Sequence, residues 1–183
     1  MKLGNYHLLA IDAGTTTSGV CEFNNGKIIS SDKAMPNGEV LEMLRENKYQ
    51  VVAFEMISSY GMPVGRETFE TILWIGQFIE AANWTCEVRV IPRYAVKHHW
   101  TGKTAANDSI VRGALFEIFG DKGTKKNPGF FYGVVSHALQ AAAAGLFVLS
   151  GARHATGEFN VYIGATEPPE ESPDGNTTRE LPL

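Results

Sequence analysis

Two carboxylates stand at the ends of two apolar runs, where they could bind a metal ion. Asp12 follows the run LLAI and precedes Ala-Gly-Thr, and Glu55 follows the run VVAF and precedes a loop. In open α/β sheets, ligands bind outside the carboxyl ends of the strands. Two carboxylates that converge there would attract a hard cation such as Mg²⁺. Taken singly, each is more often a strand-end acid that faces water.

A third candidate, His137, stands near the start of the alanine-rich segment GVVSHALQAAAAG. A helix of small residues can pack closely on a sheet, so it would direct the imidazole at the two carboxylates. The alternative is a histidine that only completes the packing at the start of a helix. The sequence leaves both possibilities open.

Two basic clusters could contact the phosphates of a nucleic acid. Lys125 and Lys126 precede three aromatic residues in GDKGTKKNPGFFYG, and Lys97 and Lys103 lie in the segment that follows the fifth predicted strand. Ammonium groups contact phosphates, and aromatic rings stack on bases. Solvated lysines followed by aromatic residues of the core are an equally good account of the loop. Two such clusters near one candidate metal site favour nucleic-acid binding.

The elements that would position these residues alternate between strands and helices. Apolar runs and the Asn25-Gly26 turn predict five strands, and apolar residues at helical spacing predict five helices. The strands are expected at 6–12, 20–23, 27–30, 50–55 and 87–91, and the helices at 38–47, 68–84, 93–100, 105–119 and 134–150. This order predicts an α/β protein of the ribonuclease-H-like fold, with a mixed five-stranded sheet and helices on both faces.

The composition is that of a globular protein. Of 183 residues, 44% are hydrophobic and 20% are charged, which predicts one domain over residues 1–164. Residues 166–183 contain five acidic residues and one basic residue, so they carry the whole net charge of −4. We therefore expect an acidic, disordered tail over 165–183 and a body that does not repel DNA. A weak strand-like run stands at 159–163.

The cysteines and the apolar segments give expectations about location. Cys21 and Cys86 are too far apart for a Cys-rich zinc site, and a disulfide scaffold is a poor fit to two cysteines. They are expected to be buried thiols of a reducing, cytoplasmic environment. The apolar run 141–149 is too short to span a bilayer, so no membrane partner is expected.

The segment IDAGTTTSGV also matches the phosphate-binding loop of actin-like sugar kinases. Such a protein would carry a second phosphate motif and an adenosine-binding motif further along the chain. Neither motif occurs, so we expect no nucleotide cofactor and keep an actin-like phosphate-binding protein as a lesser alternative.

Four segments together resemble the phage and prophage RuvC-like Holliday-junction resolvases over residues 7–150. They are AIDAGTT, VVAFEMISSYGMPVGRETFETILWIGQF, ANDSIVRGALFEIFG and GTKKNPGFFYGVVSHALQAAAAG. The resemblance implies a nuclease domain that uses a divalent metal to cut Holliday junctions or related branched DNA by phosphodiester hydrolysis. It also implies a homodimer. A junction-binding relative without catalytic activity is the main alternative.

The resemblance assigns roles to particular residues. Asp12 would bridge two Mg²⁺ or Mn²⁺ ions, Glu55 would hold one of them, and His137 would hold the other or orient the water. Asp108 matches a family acid and is a candidate ligand, although Asn107 replaces the usual lysine before it. Most phage relatives have aspartate where His137 stands.

The basic clusters and the implied dimer predict two further sets of contacts. Lys97, Lys103, Lys125 and Lys126 would contact DNA phosphates. The dimer interface is expected on helix 68–84, where Trp74 and Phe78 stand one turn apart on one face.

Overall fold

The computed structural model describes residues 2–57, 63–82 and 86–152. Five strands and five helices follow one another in the predicted order. The strands are β1 (His7–Asp12), β2 (Thr17–Asn24), β3 (Lys27–Pro36), β4 (Val51–Met56) and β5 (Glu87–Pro92). The helices are α1 (Asn37–Arg45), α2 (Arg66–Ala81), α3 (Arg93–Thr101), α4 (Asp108–Phe119) and α5 (His137–Leu149).

The strands form one mixed sheet in the order β3-β2-β1-β4-β5. β2 pairs antiparallel with β1 and β3, whereas β4 pairs parallel with β1 and β5. Asn25 and Gly26 connect β2 to β3 and both have positive φ angles, 51° and 73°, as a two-residue hairpin turn requires. The predicted α/β class and mixed five-stranded sheet are confirmed.

Apolar side chains cover both faces of the sheet, because alternate residues of each strand point to opposite sides. Leu8, Ala10 and Ala53 belong to the core that α3, α4 and α5 complete. Leu9 and Phe54 belong to a second core that α1 and α2 complete. The prediction of helices on both faces is therefore confirmed.

The same alternation decides where the two strand-end carboxylates point. Asp12 lies two residues after Ala10, and Glu55 lies two residues after Ala53, so both point to the α3–α4–α5 side. Asp12 and Glu55 are also paired in register across the parallel strands β1 and β4. The two side chains are thus direct neighbours on one face.

Helix α5 approaches the sheet closely, which two glycines allow. A Cβ atom at Gly145 of the helix would lie 2.5 Å from the Phe23 ring, and one at Gly19 of β2 would lie 2.3 Å from the carbonyl carbon of His137. Larger side chains at either position would hold the helix away from β1 and β2. This close approach brings the start of α5 to the carboxyl end of β1.

Several boundaries differ from the sequence predictions for local reasons. Helix α4 begins at Asp108 and not at 105, because Asn107 is its N-cap and accepts a hydrogen bond from the Ile110 amide. Helix α5 begins at His137 and not at 134, because Ser136 has a φ angle of 51°, which a right-handed helix does not adopt. Strands β2 and β3 extend beyond the predicted hairpin.

Some predictions concern residues that the structure does not describe. The possible strand at 159–163, the boundary at 164–165 and the acidic tail lie outside the described residues, as does part of the segment EMISSYGMPVG. Within the described ranges, no helix is both long enough and apolar enough to cross a membrane.

The predicted interface face of α2 is wrong. Phe78 is fully buried and belongs to the core between the sheet and α1–α2. Trp74 packs against that core and donates a hydrogen bond from Nε1 to the Thr15 carbonyl at 2.8 Å. The outward face of α2 instead carries Phe69, Ile72 and Leu73, which are all exposed. The helical spacing of Trp74 and Phe78 identified the core face of the helix.

Candidate active site

The in-register carboxylates Asp12 and Glu55 are both buried, with exposed fractions of 9% and 6%. Glu55 Oε2 has no hydrogen-bond partner among the described residues. An unpartnered, buried carboxylate oxygen is costly, and its presence beside a second carboxylate is typical of a site that binds a cation or a proton.

The surroundings of both carboxyl groups oppose ionisation in the absence of a cation. Burial raises the pKa of Asp12, an effect that the hydrogen bond from His137 and the charge of Arg93 only partly offset. Burial, and then the charge of Asp12, raise the pKa of Glu55 to about 8, although Arg93 acts in the opposite direction. Two close carboxylates that must both be charged therefore need additional positive charge.

His137 is the first residue of α5 and contacts Asp12 directly. Its Nδ1 lies 2.9 Å from Asp12 Oδ2, and 69% of its side chain is exposed. When Asp12 is ionised its oxygen can only accept, so Nδ1–H donates, and in the neutral imidazole the lone pair of Nε2 is then available. An exposed imidazole with this tautomer can accept a proton from a water molecule at Nε2, and it is not a residue of the packed core.

Arg93, the first residue of α3, stands between two acidic residues. Its Nε lies 3.6 Å from Glu55 Oε1, and its Nη2 donates a hydrogen bond to Asp108 Oδ1 at 3.0 Å. Lys97 Nζ lies 3.9 Å from the same Asp108 oxygen. Burial lowers the pKa of Arg93, but the neighbouring carboxylates outweigh it and raise the pKa overall. The guanidinium is therefore a permanent positive charge beside Glu55.

Three helices begin at this place, and each presents its first residue to the site. Arg93 begins α3, Asp108 begins α4 and His137 begins α5. The amino-terminal end of a helix carries partial positive charge, which favours anionic groups nearby. These helix ends therefore favour the negative charge of a phosphate that approaches the carboxylates.

A hydrogen-bonded network fixes the loop that follows Asp12. Asn37 is buried and donates from Nδ2 to the Gly14 carbonyl at 3.0 Å, while its Oδ1 accepts from Ser18 Oγ at 2.8 Å. The Trp74 hydrogen bond to Thr15 holds the same loop from α2. Because both ends of the loop are held, the backbone around Asp12 has a defined conformation.

Two cavities adjoin the site, and Arg93 and His137 line both. The larger has a volume of about 480 Å³ and runs along residues 12–17 and the start of α2. The smaller has a volume of about 230 Å³ and is lined by the first turns of α4 and α5, including Arg112. An extended phosphodiester chain could pass along these cavities in contact with His137.

The donor set fits one divalent cation. Across the described ranges, no group of three or more His, Cys, Asp or Glu side chains is arranged to hold a metal. The Asp12–Glu55 pair nevertheless offers two buried carboxylates, including the unpartnered Glu55 oxygen. Mg²⁺ commonly binds through one or two carboxylates and completes its shell with water and substrate phosphate.

The structure brings Asp12, Glu55 and His137 together and places Asp108 beside Arg93. The candidate DNA-contacting lysines are dispersed. Lys103 is exposed just after α3, and Lys97 is largely covered beside Asp108.

Lys125 and Lys126 occupy the tip of a tight turn. Thr124 and Asn127 close this turn with two reciprocal backbone hydrogen bonds, of 2.9 and 3.1 Å. Both lysines are exposed. Of the aromatic residues that follow, Phe131 is fully buried and Phe130 packs against the core. The account of these two rings as core residues is therefore supported.

Sequence reasoning placed Arg93 only in the basic cluster after the fifth strand and missed its contacts with the carboxylates, and it also missed the role of Asn37. Arg93 directly follows β5, the third parallel strand of the sheet, so the argument that selected Asp12 and Glu55 would also have selected it. Asn37 gives no such signal, because its partners Gly14 and Ser18 are distant in sequence.

The fold is ribonuclease-H-like, and solved RuvC structures share it. RuvC from Thermus thermophilus in complex with a Holliday-junction substrate superposes with a TM-score of 0.56 and 19% sequence identity, over 80% of this chain and 95% of that one. A second Thermus thermophilus RuvC structure gives 0.56 and 18%, over 80% and 97%. No protein-family model matches the sequence, and no curated protein matches it.

Proposed function

We propose that this protein is a divalent-metal-dependent, structure-selective endodeoxyribonuclease that cuts Holliday junctions or related branched DNA in the cytoplasm. The observation that carries the proposal is the buried, in-register Asp12–Glu55 pair with an unpartnered oxygen and an adjoining imidazole. Its place at the carboxyl ends of β1 and β4, in a fold shared with RuvC, supports this class of substrate.

Each site residue has a distinct part in phosphodiester hydrolysis. Asp12 and Glu55 would hold a divalent cation, which supplies an activated water and neutralises charge on the phosphate. The family resemblance implies two Mg²⁺ or Mn²⁺ ions, of which this pair would hold one. His137 is held by Asp12 and would orient the attacking water, accepting its proton at Nε2. Attack in line with the leaving 3′ oxygen would give a 5′-phosphate.

The positive charges that would hold the DNA lie on different elements. The tip lysines Lys125 and Lys126 and the exposed Lys103 are available for phosphate contacts. Lys97 is engaged near Asp108, so its contribution would be to the charge of the site more than to a distant phosphate.

We also propose a homodimer that forms through the outward face of α2. Phe69 and Leu73 are 59% and 67% exposed, and a Cβ atom at Gly76 would have no atom within 4 Å. Phe69, Leu73 and Gly76 recur every three to four residues and so share a face. Antiparallel pairing about a twofold axis between residues 72 and 73 sets Phe69 against the partner subunit's Gly76, a self-complementary contact.

The test of the proposed function is cleavage of a synthetic four-way junction, with linear duplex as the control substrate, in Mg²⁺ and in Mn²⁺. Asp12→Asn should reduce cleavage at least a thousandfold, because the cation loses a charged ligand. Junction affinity should stay within about threefold, because no phosphate contact is removed.

The alternative of a junction-binding protein without catalysis is favoured by the Arg93 contact, which already supplies positive charge to Glu55. Junction binding without cleavage by the unmodified protein in either metal would establish that alternative. Near-normal turnover by Asp12→Asn would show that the carboxylate pair is not the catalytic site.

A further inference from the structure

Arg93 is fixed beside the carboxylate pair by a contact on its far side. The guanidinium donates to Asp108 Oδ1 at 3.0 Å, whereas its separation from Glu55 Oε1 is 3.6 Å, longer than a hydrogen bond. Asp108 therefore holds the guanidinium, and Glu55 keeps one oxygen toward Arg93 and its unpartnered oxygen, Oε2, free for another cation.

Two cationic side chains already lie beside the Asp108 carboxylate. The same oxygen, Oδ1, lies 3.0 Å from Arg93 and 3.9 Å from Lys97, and about half of the Asp108 side chain is exposed. A divalent ion at Asp108 would have to approach two cationic groups at close range. The resemblance to resolvases makes Asp108 a candidate metal ligand, but these contacts give it a different part.

The charges of the site balance with one divalent ion. With a cation bound and both carboxyl groups of the pair ionised, Asp12, Glu55 and Asp108 supply three negative charges, and Arg93 and Lys97 supply two positive charges. The remaining negative charge and one phosphodiester together match a single divalent ion. A second divalent ion would leave two unmatched positive charges in a partly buried site, which is unfavourable.

We propose that Arg93 stands where a second metal ion would otherwise bind, so that the site holds one divalent ion, and that Asp108 is the residue that positions Arg93. This inference rests on the proposed nuclease function. It assigns the neutralisation of negative charge during hydrolysis to one metal ion and one guanidinium group. Arg93 would face the phosphate during hydrolysis and stabilise the negative charge that develops on it.

The proposal predicts opposite effects on metal binding and on cleavage. Without Arg93, the ion at Asp12 and Glu55 is repelled less. A divalent ion carries twice the charge of a proton, so removing the repulsion from Arg93 favours the bound ion twice as much as a proton on the same carboxylate. Ion binding therefore tightens even where the ion must displace a proton. Cleavage at saturating metal should slow, because the phosphate loses its cationic partner. A residue with only a structural role would weaken both.

The experiment counts Mn²⁺ ions bound to the full chain without DNA, by electron paramagnetic resonance of the free ion during titration. We expect one bound ion for the unmodified protein. For Glu55→Gln we expect no ion that binds with a submillimolar dissociation constant. Arg93→Gln should bind the ion at least tenfold more tightly and cleave at least tenfold more slowly at saturation. Arg93→Lys keeps the charge, so its dissociation constant should stay within threefold.

Asp108→Asn and Arg112→Gln test whether Asp108 is a metal ligand or the residue that positions Arg93. Asp108→Asn should keep one ion, because Asp108 is not a ligand. Arg112 lines the smaller cavity, and its Nη2 donates a hydrogen bond to Ser109 Oγ at 3.4 Å. Arg112→Gln is therefore the matched arginine control and should leave ion binding unchanged.

Three results would overturn the inference: two ions or none in the unmodified protein, weaker binding in Arg93→Gln, or loss of the ion in Asp108→Asn. Thermal unfolding of each variant excludes misfolding as the cause. Because the ions are counted without DNA, one bound ion with no junction cleavage would refute the proposed function and leave the single-ion site standing.

Discussion

Glu55 illustrates how the surroundings of one residue link stability to function. Burial is the first cause that raises its pKa to about 8, and the charge of Asp12 is the second. The folded protein therefore keeps a proton on Glu55 at pH values where the unfolded chain releases it. A divalent cation would replace that proton, so metal binding and protonation compete at one carboxylate.

This competition predicts how the stability of the metal-free protein depends on pH. The folded pKa is raised above the ordinary value of 4.5, so the stabilisation is complete below about pH 4.5 and is lost as the pH rises through about 8. In EDTA, the melting temperature of the unmodified protein should fall relative to that of Glu55→Gln between pH 5 and 9, by roughly 5 °C.

The control for this measurement is the addition of Mn²⁺, in excess of the EDTA, at pH 8. It should raise the melting temperature of the unmodified protein and leave that of Glu55→Gln nearly unchanged, since the variant lacks a charged ligand. Parallel pH curves for the two proteins would contradict the assignment of Glu55 as a buried, titrating carboxyl.

At the scale of elements, α5 is placed by the small residues beneath it. Gly19 is paired with Asp12 across β1 and β2, and the His137 backbone lies directly over it. Any Cβ atom at Gly19 would overlap the first residue of α5. The hydrogen bond between His137 and Asp12 therefore depends on a glycine that takes no part in the chemistry.

We predict that Gly19→Ala lowers the free energy of unfolding by about 1–3 kcal/mol and reduces junction cleavage at least tenfold, because α5 must shift outward. Chemical denaturation and a cleavage assay measure the two effects. Gly113→Ala in α4 is the matched control: a Cβ atom there meets nothing within 4 Å, and the helix should gain about 0.5–1 kcal/mol. Unchanged stability and cleavage in Gly19→Ala would argue against the close approach of α5.

The turn that carries Lys125 and Lys126 is the second element whose role, here in DNA binding, can be tested. Its two reciprocal hydrogen bonds use backbone groups of Thr124 and Asn127, so the lysine side chains are not needed to form it. Replacing both lysines by alanine should weaken junction binding and lower the salt slope of log K by about 1–2. Fluorescence anisotropy at several salt concentrations measures this slope.

Lys27 and Lys33 form the matched pair for that experiment. Both are exposed on β3, the edge strand at the opposite side of the sheet from β5. Their replacement by alanine should leave the slope unchanged. An equal loss in both double variants would mean that the lysines act only through net charge.

At the scale of the whole molecule, the exposed apolar face of α2 makes a prediction about assembly. Leu73 is the most exposed of its large apolar residues at 67%, and it lies next to the proposed twofold axis. A charge there would face its own copy across the dimer interface. Leu73→Asp should therefore convert the dimer to a monomer in sedimentation velocity.

Ile118→Asp provides the comparison, because Ile118 is 50% exposed on α4, away from this face. It should leave the sedimentation coefficient unchanged. A monomeric unmodified protein, or a Leu73→Asp protein that remains dimeric, would show that α2 does not form the interface.

The sequence by itself determined the order of strands and helices and the two carboxylates at the strand ends. Apolar residues at strand or helix spacing indicate which faces are buried. An acidic residue directly after an apolar run can be identified as a strand-end acid from the sequence alone. The same local signal misassigned Trp74 and Phe78, because an apolar stripe marks a buried face without showing whether the chain or a partner covers it.

Only the tertiary structure decided how the site is charged. His137 is 125 positions from Asp12 along the chain, and Arg93 is 15 positions from Asp108, yet hydrogen bonds join each pair. These contacts arise because the parallel pairing of β1, β4 and β5, and the glycines where α5 meets the sheet, bring three helix starts to one edge of the sheet. Long-range geometry of this kind leaves no periodic pattern in the sequence, so the contacts of Arg93 with Glu55 and Asp108 became visible only in the folded chain.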